Sequence, residues 1–467
     1  MSHEINTEVV QAEEKIQNNK ITEGVIWQQL LLFFFPILFG TFFQQLYNAA
    51  DAMIVGQFVG KEALSAVGGG TGTIIQLLVG FFVGVSSGAT VIISQYYGAK
   101  REEMVGYAVH TAIALSLVAG LVMMVGGMVA APMVLRAMDT PADVLDLSIL
   151  YIRIYFAGVV GNLIYNMGAG ILRAVGDSKR PLYFLIASCL TNIVLDVVFV
   201  VFLGMGVAGA ALATIMSQAL SAVLVIVVLV RTKDMHHLDI RRIGFDKRML
   251  GRIIRIGLPA GLSSVMYSSS NVLIQSGINS LGTDTVAAWT AYSKIDSIFW
   301  MIISAFGTSV TTFVGQNYGA GKQERVRKGI RTCLGMSAVT TVLISVLLYL
   351  FGIHFYDLFT SDTAVVKIGI DMLRYLVPFY ITYITIEILS GSLRGVGDCW
   401  VPTIISFLGI CVLRVVWNMV AVPLRRDIYT IMFSYPLTWI ITSILYTLYY
   451  LFFSRLKVRG QRKENHA

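Results

Sequence analysis

The chain has 467 residues, of which 56% are hydrophobic and only 13% charged, and its mean hydropathy is +0.73. This composition excludes an ordinary soluble domain and predicts an all-α integral membrane protein, because backbone inside a bilayer must satisfy its polar groups within helices. The formal net charge of +8 does not indicate nucleic-acid binding, since the Lys and Arg residues are sorted by loop, as in a membrane protein.

The first two dozen residues are polar and carry four glutamates. They lack the basic stretch followed by a short apolar core that marks a cleavable signal. We therefore expect residues 1–24 to form an amino-terminal tail in the cytoplasm.

Twelve apolar segments follow, each of about 20 residues or more and therefore long enough to cross a bilayer. Six lie in residues 25–230, which we predict to form one lobe, and six lie in residues 251–454, which form the other. A polar connector, residues 231–250, separates the lobes, and a basic tail, residues 455–467, ends the chain. The predicted centres of the segments are Asn48, Val79, Val118, Leu163, Val194, Ala219, Asn271, Ile302, Val342, Ile384, Leu413 and Ile441.

Most of the 35 Lys and Arg residues fall in alternate loops, on the side of both termini and of the connector. Because positive loops stay inside, this bias predicts a multi-pass protein of the plasma (inner) membrane with both termini in the cytoplasm. The stretch 241–255 alternates basic and apolar residues and predicts an interfacial helix.

The two halves repeat each other. Gln95-Tyr96-Tyr97-Gly98-Ala99 recurs 221 residues later at 316–320, and Leu172-Arg173-Ala174-Val175-Gly176-Asp177 recurs at 393–398. Pro36 and Pro259 match at a spacing of 223. A repeat of six helices predicts a pseudo-two-fold axis along the membrane normal, which is a transporter's architecture. We interpret both repeated motifs as structural helix ends.

The first segment carries a carboxylate, Asp51, at membrane depth. A charge there costs roughly 2.5–3.5 kcal/mol, so such residues are usually functional and face a cavity or the bundle interior. At helical spacing Asp51 shares one face with Gln44, Tyr47 and Asn48. The sequence thus predicts one polar stripe inside an apolar helix.

Other polar residues of the first half lie at a matching depth. Asn192 and Asp196 share a face of the fifth segment, Asn162 and Asn166 share a face of the fourth, and the sixth offers Thr214. Burial and mutual repulsion of the two acids favour binding of a proton or a sodium ion. The alternative is a static hydrogen-bond network that holds the helices together.

In the second half, the seventh segment has a polar face that includes Tyr267, and the tenth carries Tyr383 and Glu387. Arg414 lies at membrane depth in the eleventh, where the 221-residue register predicts that it approaches Glu387. Either the two form a buried ion pair, or they serve in substrate binding or gating.

Other chemistry finds little support. The four cysteines show no metal-ligand spacing, and we interpret His236 and His237 as solvated loop residues rather than metal ligands. No phosphate-binding loop occurs, so ATP is not the direct energy source. We expect no cofactor and no structural metal.

In order and spacing these motifs resemble those of the multidrug and toxin extrusion (MATE) family, over nearly the whole chain. The resemblance rests on Gln44-x-x-Tyr47-Asn48-x-x-Asp51 after Pro36, on Asn192-x-x-x-Asp196, and on the duplicated Arg-x-x-Gly-Asp corners. It implies that Pro36 is the bend point of the first helix and that Na⁺ is one candidate ligand of the two aspartates. The implied cation-coupling cluster, of the prokaryotic type with acids in the first lobe, comprises Asp51, Asp196, Asn192, Gln44, Asn166 and Thr214.

The resemblance implies a secondary active antiporter that exports organic, often cationic, compounds by alternating access in exchange for protons or sodium. We expect it to work as a monomer in the lipid bilayer, without a nucleic-acid partner. The candidates for substrate binding or gating are Tyr47, Asn48, Asn162, Tyr267, Tyr383, Glu387 and Arg414.

Two alternative functions can be compared with the sequence. One is a lipid-linked oligosaccharide flippase of related architecture, whose cavity should be strongly cationic to hold pyrophosphate. The other is a membrane-embedded enzyme, for which the sequence lacks a grouped nucleophile, metal ligands or an acid/base pair. We therefore expect no enzymatic activity.

Overall fold

The structure of the chain is a computed structural model that describes residues 21–357, 360 and 362–456. The predicted tails, residues 1–24 and 455–467, lie almost wholly outside this range. The described residues form helices and loops, with no strand among them. This confirms the predicted all-α class.

Twelve long helices account for most of the described chain, as predicted. The first six are α1 (Ile26–Phe58), α2 (Lys61–Gly98), α3 (Glu102–Ala137), α4 (Ala142–Val175), α5 (Lys179–Phe202) and α6 (Gly206–Arg231). The other six are α7 (Lys247–Asn279), α8 (Thr283–Gly319), α9 (Gln323–Asp357), α10 (Thr363–Gly395), α11 (Trp400–Leu424) and α12 (Ile428–Phe452).

Eleven of these helices are long and apolar enough to cross a membrane. The exception is α7, whose 33 residues include four cations in its first turns and a run of serines further on. It is still long enough to span, because an α-helix rises about 1.5 Å per residue.

The helix α7 begins earlier than the sequence predicted. Asp246 caps it by accepting a hydrogen bond from the backbone N–H of Met249 at 2.8 Å, so the helix starts at Lys247, inside the predicted connector. The prediction of an interfacial helix over 241–255 is therefore wrong. That stretch holds a short 3₁₀ turn, Ile240–Arg242, followed by the first turns of α7.

The connector is tied to the first half of the chain. The Tyr97 hydroxyl donates to Asp234 at 3.0 Å, and the backbone N–H of Asp239 donates to His110 Nε2 at 3.1 Å. Hydrogen bonds from His236 and from the backbone N–H of Met235 lower the pKa of Asp234 to about 2. His236 is buried against Asp234, so the prediction that it is solvated is wrong.

The helices α1 and α7 each pack on both halves of the chain. The start of α1 belongs to the hydrophobic core of the second half, where the Phe34 ring stacks on Phe306 with centroids 4.1 Å apart. The start of α7, with Met249 and Ile253, belongs to the core of the first half. Further along, each helix returns to its own half, since α1 packs on α5 and Ile274 joins the second core.

Both helices contain a proline close to the point where they change partners. Pro36 follows the exchanged segment of α1, and Pro259 follows that of α7. A proline inside a helix removes one backbone hydrogen bond and its ring crowds the preceding turn. The repeated prolines therefore mark the places where the two crossing helices are least constrained.

The two halves meet along α2 and α7, through glycines. A Cβ atom added to Gly84 would lie 2.4 Å from the Cα of Gly261, and one added to Gly88 would lie 2.4 Å from the carbonyl oxygen of Ile253. Such distances mean that backbone packs against backbone. The contact occupies the part of the bundle next to the connector, where α2, α4, α6, α8, α10 and α12 end, and we name this the connector end.

We expect Gly88→Ala to destabilise the protein by about 1–3 kcal/mol, because the added methyl meets backbone atoms that cannot rotate away. The matched control is Gly106→Ala in α3, where nothing lies within 4 Å of the new Cβ. That change should be neutral or stabilising, since alanine is the better helix former. Thermal unfolding of both variants in detergent would measure the difference. Equal midpoints for the two variants would contradict the close α2–α7 contact.

Candidate functional site

Two buried carboxyl groups meet in the first half of the chain. Asp51 of α1 is 6% exposed and Asp196 of α5 is 0% exposed, and their side chains interact directly. Like charges repel strongly where water is excluded, so two adjacent carboxyls cannot both stay ionised at low cost. A proton or a cation at this pair would relieve the repulsion.

The polar atoms around the pair lack protein partners. Five buried atoms accept or donate no protein hydrogen bond, namely Asp51 Oδ1, both carboxylate oxygens of Asp196 and both amide atoms of Asn192. Each unsatisfied buried group costs about 1–3 kcal/mol. Ionised carboxylates are acceptors only and cannot bond each other. A proton or a cation between them would supply the missing partner.

The backbone changes character at this site. Asp196 is the last residue of the α-helical part of α5, and a π-helical segment, Val197–Phe202, follows at once. Segments of π-helix are rare and occur frequently at functional sites. The wider turn leaves the carboxylate at a junction between two helical geometries, where small backbone adjustments can move it.

Tyrosine and glutamine side chains that the sequence did not single out surround the acids. Tyr151 of α4 interacts electrostatically with both Asp51 and Asp196, and its ring stacks on Tyr155 at 6.5 Å. Tyr47 and Tyr155 both interact with Gln218 of α6. The signal was present in the sequence, because Tyr151 and Tyr155 share a face of α4 and Gln218 interrupts an apolar helix.

The predicted members of the cluster do not all lie together. The Asn166 amide donates to Asn162 Oδ1 at 2.9 Å, so these two bind each other on α4. Thr214 is buried, but its hydroxyl donates to the Ala210 carbonyl at 3.0 Å and keeps only acceptor capacity. Gln44 is exposed and interacts with Tyr47 rather than with the acids. Asn48 is exposed as well.

In the second half, a polar cavity of about 80 Å³ lies among α7, α10, α11 and α12. The predicted residues Tyr267, Tyr383 and Glu387 all line it, together with Arg394 and Tyr446. The Tyr446 hydroxyl donates to the carbonyl of Pro402 at 2.8 Å. The structure therefore brings these three candidates into one enclosed, hydratable space.

No ion pair joins Glu387 to Arg414, so the ion-pair alternative for these two residues is wrong. Arg414 instead lies over the Tyr435 ring at 4.2 Å and donates to Thr438 at 3.3 Å, both on α12. The reason lies in α11, where a π-helical segment, Phe407–Val412, comes just before Arg414. Each residue of an α-helix turns about 100°, so the altered register directs Arg414 toward α12 rather than α10.

A further acid at membrane depth, Asp296 of α8, is held by hydrogen bonds. Its two carboxylate oxygens accept from the Tyr380 hydroxyl and the Trp300 indole N–H, each at 2.5 Å. These residues belong to a group of packed aromatic rings, in which Trp300 meets Tyr383 at 4.6 Å and Trp439 at 6.2 Å. An acid beside aromatic faces is suited to attract an organic cation.

We expect a double-mutant cycle on Glu387→Gln and Arg414→Gln to give a coupling energy within about 0.5 kcal/mol of zero, because the two groups share no partner. A buried ion pair would instead lose about 3–5 kcal/mol when one partner is removed. Unfolding in sodium dodecyl sulfate would measure these free energies.

The positive control for this cycle is the bonded pair Asp296→Asn and Tyr380→Phe. These residues share a hydrogen bond and should couple by at least about 0.5 kcal/mol. A strong coupling between Glu387 and Arg414 would restore the ion pair that the structure lacks.

Comparison with known proteins gives a consistent picture. Residues 36–198 and 259–420 match the MatE family, and the two matches begin at Pro36 and Pro259. The chain is 28% identical over 449 residues to the probable multidrug resistance protein YoeA of Bacillus subtilis (strain 168), covering 94% of this chain and 97% of that protein. It is 30% identical over 396 residues to the probable multidrug resistance protein YpnP of the same organism, covering 84% and 88%.

Solved structures share the fold. One is a multidrug resistance MATE family transporter of the MOP superfamily in an outward-facing conformation. Its TM-score is 0.86 at 24% identity, and the alignment covers 95% of this chain and 98% of that one. The arrangement of twelve helices in two pseudo-symmetric lobes is therefore shared with solved proteins.

Proposed function

Because this chain belongs to the MATE family of multidrug efflux transporters, we propose that it exports small organic compounds in exchange for protons or Na⁺ bound at Asp51 and Asp196. Members of this family are transporters, so an enzymatic function is not retained. The observation that carries the proposal is the buried acid pair with its unsatisfied oxygen atoms.

Both coupling ions suit the groups present. Asp51, Asp196 and Asn192 would hold Na⁺ through oxygen atoms, which are the ligands that hard cations prefer. A proton would instead neutralise one carboxylate and let it donate to the other. In either case the ion is a transported substrate and not a resident cofactor, and the transporter needs no other cofactor.

The distribution of Lys and Arg gives the orientation. We propose from it that the connector end and both termini face the cytoplasm of a plasma (inner) membrane, because positive loops stay inside. The ends of α2 and α8 meet at that end, where a Cβ atom added to Gly98 would lie 2.0 Å from the Gln316 carbonyl oxygen, so the two lobes touch there in this structure. We propose that external cations reach the acid pair from the opposite side.

Coupling follows from differential affinity. If the cation binds one facing state better and the exported compound binds the other, each shifts the equilibrium between the states. Neutralising the acids removes a repulsion next to the π-helical segment of α5 and beside α1, which carries Pro36. We propose that this releases a bend of α1 at Pro36, where the helix changes from one lobe to the other.

The second lobe supplies surface for the exported compound. The aromatic group around Asp296 combines flat apolar rings with an acid. Such a surface suits lipophilic organic cations of varied shape. We propose that one chain, without a second copy, forms the complete pathway in the bilayer.

A lipid-linked oligosaccharide flippase is disfavoured by the same residues. A pyrophosphate requires a strongly cationic cavity, but the cavity of the second lobe sets Glu387 and Asp398 against the single cation Arg394. The first lobe contributes a pair of acids. Neither arrangement compensates the charge of a pyrophosphate.

We expect Asp51→Asn and Asp196→Asn each to reduce gradient-driven export to the level measured without a gradient, because the amide cannot load and release the coupling cation. The measurement is uptake of a fluorescent cationic dye into proteoliposomes, with a pH gradient and a Na⁺ gradient imposed separately. The matched control is Asp143→Asn, an exposed acid in the first turn of α4.

The control should export as the unmodified protein does, and all variants should elute as folded protein. Full cation-coupled export by either Asn variant would contradict the assignment. Export under only one of the two gradients identifies the coupling ion.

A further inference from the structure

The repeated motif Gln-x-Tyr-Gly-Ala joins the two lobes at the connector end. The Gln95 amide of α2 donates to the carbonyl of Gly395 at the end of α10, at 2.8 Å. The Gln316 amide of α8 donates to the carbonyl of Ala174 at the end of α4, at 2.6 Å. Both hydrogen bonds cross from one lobe to the other.

The two bonds are reciprocal. Gln95 and Gln316 are equivalent positions 221 residues apart, and so are Ala174 and Gly395. Gln95 therefore binds Gly395 of the second lobe, and Gln316 binds the equivalent residue of the first lobe, Ala174. One pseudo-two-fold axis relates the pair, which neither motif reveals when read alone.

The surrounding backbone is shaped for this contact. A Cβ atom added to Gly98 would lie 2.0 Å from the Gln316 carbonyl oxygen, and one added to Gly319 would lie 1.9 Å from that of Gln95. Only glycine permits so close an approach of the two helix ends. The contact is thus built into both copies of the motif.

The acceptors are suited to a contact that forms and breaks. Ala174 and Gly395 lie in the last turns of α4 and α10, where carbonyl groups have no partner within the helix. In the first lobe, the backbone N–H groups of the Gly-Asp corner after α4 donate to the carbonyls of Leu172 and Arg173. In the second lobe, the equivalent corner donates to the equivalent carbonyls, and neither corner bonds to the carbonyls of Ala174 or Gly395. When the lobes separate, water can replace the glutamine amides at both carbonyls.

We propose that Gln95 and Gln316 form an interlobe latch that holds the connector end closed and must open in every transport cycle. This inference rests on the proposed alternating-access function. It gives the duplicated motif a role beyond ending a helix, because each copy supplies the latch for the other lobe. Replacing hydrogen bonds by water at each opening keeps the latch reversible.

The latch can be tested by spin labels at Glu102→Cys and Glu324→Cys, two exposed positions just beyond the ends of α2 and α8. The native cysteines of the described chain are buried. In nanodiscs, double electron–electron resonance should show mainly the short distance of the closed connector end. Each of Gln95→Ala and Gln316→Ala should raise the ratio of open to closed populations roughly 2- to 12-fold, as expected for the loss of one hydrogen bond.

The double variant should raise the ratio of open to closed populations by at least about 5-fold over the unmodified protein. The half-saturating substrate concentration at the connector side should fall by the same factor, because more molecules are competent to bind there. The matched control is Gln57→Ala, an exposed glutamine of α1 that should change neither reading. Since Gln316 is buried, Gln316→Asn serves as a second variant that keeps an amide but is too short to reach Ala174.

An unchanged distance distribution in the double variant, with the protein folded, would overturn the latch. Failure of the proposed function would look different, because the unmodified protein would then show no gradient-driven export while the distance shift persisted. Export by the unmodified protein without any shift in the variants would remove the latch alone.

Discussion

A charge inside a bilayer must be enclosed by protein and given a partner, and the positions of the buried charges in this protein follow from that constraint. Asp296 meets it with two hydrogen bonds, and Arg414 meets it with an aromatic face and a hydroxyl. Asp51 and Asp196 do not meet it through protein groups alone. The acid pair differs in having two adjacent carboxyl groups whose oxygen atoms lack protein partners, which is why we propose that it binds an ion.

The contact between the two lobes determines how they can move apart. Their contact at the connector end consists of glycine-lined backbone surfaces between α2 and α7 and of amide bonds to helix-end carbonyls. Carbonyl groups at helix ends accept water as readily as an amide. In the proposed alternating-access cycle, this contact would open without leaving these carbonyl groups unsatisfied.

The crossing helices link the seal to the acid pair. The helix α1 starts in the core of the second lobe, passes Pro36 and carries Asp51 in the first lobe. Its counterpart α7 starts in the core of the first lobe and passes Pro259. The proposed ion binding at Asp51 would therefore act on a helix that packs on both lobes.

The residue pattern alone established much of this protein. Apolar length gave twelve helices, the 221-residue spacing gave two lobes, and the expense of burying a carboxylate directed attention to Asp51 and Asp196. Prediction from the residue pattern failed where the direction of a side chain depends on irregular backbone. A π-helical segment rotated Arg414 away from Glu387, and a cap at Asp246 lengthened α7 into the connector.

Only the tertiary structure decided which polar groups meet. Tyr151 is an ordinary residue of an apolar helix until packing brings it to the acids, and Tyr155 and Gln218 meet each other only in the packed bundle. Gln95 and Gln316 looked like helix ends, because their partners lie 300 and 142 residues away in the chain. Periodicity records which face of a helix is polar, but the partner of that face is set by how separate helices pack, and no local pattern contains that information.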